Sequence, residues 1–73
     1  MTQHQHELVA DQLVADLHEF GEVRQGESIL RLEGSVYRMC RERGRERHQL
    51  LVEMTTADRL LAHWEGFCGR KLA

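Results

Sequence analysis

Glycines at 34 and 44, each set inside a run of alternating residues, constrain this chain more than any other feature. Between Glu27 and Thr55 it reads ESILRLEG, SVYRMCRE, RGRERHQLLVEMT. A tight turn at Glu33 and Gly34 sets Leu30 opposite Tyr37 and Leu32 opposite Ser35. A second, at Arg43 and Gly44, sets Tyr37 opposite Leu50, Met39 opposite His48 and Ser35 opposite Val52. Side chains alternate along a strand, so Leu30, Leu32, Tyr37, Met39, Leu50, Val52 and Met54 share one apolar face. Strands are expected over 28–33, 35–42 and 46–54, with Arg41 facing Glu46 and Glu42 facing Arg45 at the tip. A helical period through Val36, Met39, Cys40, Arg43, Arg47, Leu50, Leu51 and Met54 competes with this. Gly44 and the polar gap from Arg41 to Gln49 interrupt it, and an interior Gly costs about 1 kcal/mol against Ala.

Helical spacing flanks the meander on both sides. In HELVADQLVADLHEF (6–20), Val9, Leu13, Leu17 and Phe20 recur on one stripe, widened by Ala10 and Val14. Gly21 is placed to cap that helix, and GEVRQGE (21–27) reads as a loop with at most a short extended piece at Val23. The second helix is expected over 56–68, capped by Thr55 with Asp58 three residues on. Its apolar face holds Ala57, Leu60, Leu61, Trp64, Phe67 and Cys68, and the tail GRKLA should fray. These elements define an α+β fold: helix, three-stranded antiparallel meander, helix. Both helices cover the apolar sheet face in a two-layer sandwich.

That element order resembles double-stranded-RNA-binding domains and the HicA-type toxin ribonucleases. The likeness is confined to topology. TTADRLLAH supplies only Arg59 where the first family has a lysine-rich helix start, and ESILRLEG carries no glycine-serine-histidine motif of the second. Topology alone implies no activity.

The 73 residues, 41% hydrophobic and 30% charged, suit one domain spanning 1–73. A core of this size is small, since a domain of about 60 residues buries only roughly 60% of its unfolded surface. Cys40 and Cys68 stand far apart in no ligand-like spacing and read as reduced thiols of a cytoplasmic protein. Support is therefore expected from a second copy, as a homodimer. The start lacks the basic and apolar regions of a signal peptide, and no apolar run reaches the roughly 20 residues of a membrane span.

Catalytic chemistry finds no purchase in the pattern. His4 and His6 near the start, with His18, His48 and His63 scattered behind, do not converge as a metal shell requires. Ser28 and Ser35 lack the strand–turn–helix setting of a nucleophile elbow, and the glycines make neither a dinucleotide fingerprint nor a P-loop. No carboxylate lies on an apolar stripe where burial would tune it for proton transfer. A non-enzymatic protein without metal or cofactor is expected.

Two surfaces stand out instead. On the sheet face away from the helices, Ile29, Val36, Cys40 and Leu51 should lie among Arg31, Arg38, Arg47, Gln49 and Glu53. Of these, Ile29, Arg31, Val36, Arg38, Arg47 and Leu51 are the candidate contacts for a partner protein, because apolar patches rimmed by arginine are common at interfaces. An adaptor or inhibitor of bacterial or phage type suits the size. The alternative is a nucleic-acid module gripping phosphates with Arg38, Arg41, Arg43, Arg45 and Arg47 on the second hairpin. Glu42 and Glu46 sit inside that arginine cluster, and the chain as a whole carries −2.

Overall fold

The computed structural model describes the backbone of residues 3–43 and 46–72 and the side chains of 9–42 and 47–72. Its elements are α1 (Gln3–Phe20), β1 (Glu22–Gln25), β2 (Ser28–Glu33), β3 (Val36–Arg43), β4 (Glu46–Glu53) and α2 (Ala57–Cys68). The strands form one antiparallel sheet in the order β1-β2-β3-β4, an α+β arrangement with four strands where three were expected.

The additional strand is β1. Val23 pairs with Leu30 and Arg24 with Ile29, and Gly26 turns the chain at φ 59° into β2. Four residues with one aliphatic among them are too few to show a period, so the segment reads as loop. The same glycine chemistry explains a register change in the next hairpin. Gly34 has φ 62°, and no residue other than glycine has positive φ among those described. Gly34 is therefore the first of two turn residues, the position a type II′ turn reserves for glycine. Ser35 leaves the strand to be the second.

Consequently Leu30 pairs with Met39 and Leu32 with Tyr37, two residues from the expected register. The β3–β4 pairing moves by the same step, with Tyr37 opposite Val52 and Met39 opposite Leu50. An even slip keeps every side chain on its own face. The faces thus survive while the pairs change. At the tip, Arg41 meets His48 and Glu42 meets Arg47, in place of the pairs Arg41–Glu46 and Glu42–Arg45.

Both helices pack on the face that carries Leu30, Tyr37, Met39 and Val52. Ala10, Leu13 and Leu17 of α1 and Leu60, Leu61 and Trp64 of α2 complete the buried core. Fully burying one such aliphatic or aromatic side chain contributes about 1.5–3 kcal/mol. Gly21 closes α1 at φ 81°, its N–H donating to Leu17 O at 2.9 Å. Thr56, not Thr55, caps α2, its hydroxyl accepting from Arg59 N at 3.4 Å. Adjacent threonines offer the same cap chemistry, so pattern alone does not choose between them. At the other end Gly69 (φ 74°) and Arg70 both donate to Glu65 O. Leu72 N donates to Glu65 Oε2 at 2.6 Å and its side chain packs on the core, so the tail is tied down as far as Leu72 rather than frayed.

Coverage is uneven. α1 packs on β1, β2 and α2, and α2 packs on α1 and β2, which leaves β4 at the margin. Leu50 (39% exposed) and Met54 (55%), expected beneath the helices, are therefore open, as are Leu51 (59%) and Phe20 (68%). Phe20 falls off its stripe at the last turn of α1, beside the glycine cap.

Candidate functional site

The sheet face opposite the helices is covered by no described element. Strand alternation gathers Glu22 and Arg24 of β1, Ile29, Arg31 and Glu33 of β2, Val36, Arg38, Cys40 and Glu42 of β3, and Arg47, Gln49, Leu51 and Glu53 of β4 onto it. All six candidate contact residues, Ile29, Arg31, Val36, Arg38, Arg47 and Leu51, lie on this face. Ile29, Val36 and Cys40 are half-buried and Leu51 is exposed. A shallow basin runs across its middle, lined by Ile29, Arg31, Arg38, Cys40, Arg47 and Gln49 among others.

Every described arginine of that face has a glutamate. Arg24 Nε lies 2.7 Å from Glu22, Arg31 Nε 3.8 Å from the same carboxylate, and Arg47 Nε 3.0 Å from Glu42. Arg38 donates to Glu33. Arg31 and Arg38 are direct cross-strand neighbours, a repulsive juxtaposition that these two carboxylates relieve. The hydrogen bond from Arg24 holds the Glu22 carboxyl below its ordinary range, helped by the charges of Arg24 and Arg31 and opposed by desolvation. The face is thus close to neutral, with alternating signs around an aliphatic centre.

The three described arginines of the expected nucleic-acid ribbon, Arg38, Arg41 and Arg47, do not share a surface. Arg38 and Arg47 point to the open face, paired as above. Arg41 points the other way. Its Nη1 donates to Phe67 O at 3.1 Å, and its guanidinium lies 5.3 Å from the Phe67 ring centroid. A cation at the last turn of a helix meets both unpaired carbonyls and the negative end of the dipole. The side chains of Arg43 and Arg45 lie outside the described residues, as do those of His4 and His6. Nothing in the residue pattern announces this role for Arg41, because the expected register gave it a glutamate across the hairpin.

Beside Arg41 a small polar cleft opens between the β1–β2 turn and the end of α2, lined by Gln25, Ser28, Arg41, His48, Cys68 and Arg70 among others. Ser28 is buried and lines this cleft together with Cys68. Burial pushes the Cys68 thiol above its ordinary value, outweighing Ser28 and the charges of Arg41 and Arg70. A thiol kept protonated is a poor nucleophile. Among the described residues no three His, Cys, Asp or Glu side chains gather as a metal site would need. No described helix is long and apolar enough to cross a membrane.

No protein-family model, curated protein or solved structure matches this chain.

Proposed function

We propose that the chain is a small non-enzymatic protein-binding module, an adaptor or inhibitor that docks its open sheet face on another protein and works as a homodimer. The supporting observation is the asymmetry of the sheet. One face is covered by two helices except at its β4 margin, while the other carries Ile29, Val36, Cys40 and Leu51 inside a ring of arginine–glutamate pairs. A neutral face with an aliphatic centre suits a protein surface, which offers apolar contact and both signs of charge. It suits nucleic acid poorly, because phosphate binding draws on unpaired positive charge.

The test compares proteins retained from a lysate by the full chain and by its Ile29→Lys and Val36→Lys variants. Both positions face away from the core, so the variants should fold. The reading expects one partner set to disappear with either lysine and to persist with His63→Lys on the far side of α2. Identical partner sets across all three variants would sink it.

A further inference from the structure

The two edges of the sheet are built differently. β1 is four residues long, carries Glu22 and Arg24 outward, and is backed by α1. Short charged strands are a usual way to blunt an edge. β4 is eight residues long and pairs with β3 without interruption from Glu46 to Glu53. It has no proline or lysine, and Leu50, Leu51 and the following Met54 are exposed.

The direction of its free backbone groups follows from the β2–β3 turn. Glu33 and Val36 flank that turn and form a bonded pair, so Val36, Arg38 and Cys40 direct their N–H and C=O groups to β2. Tyr37, Met39 and Arg41 then bond to β4 through Val52, Leu50 and His48. That leaves the N–H and C=O groups of Arg47, Gln49, Leu51 and Glu53 aimed at the open side. Such a row is satisfied by another strand, and the side chains indicate which one.

We infer that β4 is the seat of a symmetric dimer, in which two copies of this chain pair their β4 edges antiparallel about a two-fold axis at Leu50. The two sheets would join into one of eight strands, with all helices on the same side. Antiparallel pairing that keeps like faces together must place the axis at a residue, and charge selects which. With the axis at Leu50, Arg47 of each copy lies opposite Glu53 of the other, and Gln49 opposite Leu51. Leu50 meets its own counterpart and Val52 meets His48 on the helix side. Arg47, Gln49, Leu51 and Glu53 are the residues whose backbone groups face outward, so the pairs Arg47–Glu53 and Gln49–Leu51 each exchange both hydrogen bonds. An axis at Gln49 sets Arg47 against Leu51, and one at Leu51 sets it against Thr55 and shortens the ladder. Glu53 has no ion pair among the described residues, so this register also supplies its partner. The inference specifies the second copy in the reading above and uses the edge rather than the open face.

Sedimentation velocity of the full chain over a dilution series tests it. The wild type should run at twice 8.5 kDa at tens of micromolar. Gln49→Pro removes an outward N–H and leaves the β3 ladder whole, as proline is tolerated on the free side of an edge strand. It should be monomeric with an unchanged circular dichroism spectrum. Arg47→Glu and Glu53→Arg should each weaken the dimer roughly tenfold, and the double exchange should restore it. A wild type that stays monomeric overturns the inference, as does a folded Gln49→Pro that dimerises normally. Failure of the double exchange to rescue rules out this register, and that arm decides alone if the proline variant does not fold. A monomer that still loses its partner on Ile29→Lys refutes the dimer while leaving the docking proposal intact.

Discussion

The two faces of the sheet use the same strands and opposite physics. On the helix side, β3 contributes Tyr37, Met39 and Arg41, the first two buried and the third locked to the end of α2. On the other, it contributes Val36, Arg38, Cys40 and Glu42, half-buried or exposed, with Arg38 and Glu42 held by salt bridges in water. Residues one step apart therefore differ in what they do for the fold. The helix side supplies cohesion, and the open side is left to vary at small cost.

Substitutions can press on that contrast, the largest effect first. Trp64 is buried at the middle of α2 and stacks on Phe67, with ring centroids 6.3 Å apart and planes 11° from parallel. Trp64→Ala should cost about 3–5 kcal/mol in urea unfolding, a large part of what so small a domain possesses. Wild-type tryptophan emission should be blue-shifted and move to the red in denaturant. A water-like emission maximum in the native protein would place the ring outside the core.

Arg41 and Arg38 give a cleaner comparison, being the same residue type on one strand. Arg41→Ala removes a hydrogen bond to a helix terminus and a contact with the Phe67 ring, together about 1–2 kcal/mol. Arg38→Ala removes an exposed pair with Glu33 and should cost between 0 and about 1 kcal/mol. Equal costs would mean that Arg41 is not held by α2. The smallest effect is expected in acid. Glu22 titrates lower in the folded chain than its ordinary 4.5, so the stability it contributes is complete above that pH and drains as the pH falls through the lowered value. Glu22→Gln should flatten that part of the acid unfolding curve, measured between pH 5 and pH 2 (roughly the range over which a salt-bridged carboxylate titrates). An unchanged curve would show the Arg24 contact to be idle.

Much of this arrangement was legible in the residue pattern, and what was not has physical reasons. Alternation assigned the right residues to each face of β2, β3 and β4, because a slip of two leaves faces untouched. The pairs themselves depend on whether glycine stands first or second in a two-residue turn, and only backbone geometry distinguishes Glu33–Gly34 from Gly34–Ser35. β1 was hidden by its length. The exposure of Leu50 and Met54 was hidden too, since periodicity says which side a residue faces and not how far a helix reaches across the sheet. The six contact candidates on the open face lie where the pattern put them. Arg41 also keeps the side that alternation gives it, but its partner was hidden, because the Phe67 carbonyl is a backbone group on a distant element.

The order of the strands in the sheet is also their order in the chain. Each ladder joins neighbours through a two-residue connection, so the sheet assembles through loop closures of minimal entropy, and hairpins of this kind form in about 1–10 μs. The contact between α1 and α2 is different in kind, since it brings together segments from opposite ends of the chain. Folding should therefore run from the middle outward. The hairpins nucleate, and the two terminal helices dock last as a clasp over the finished sheet, so core substitutions in α2 should speed unfolding more than they slow refolding.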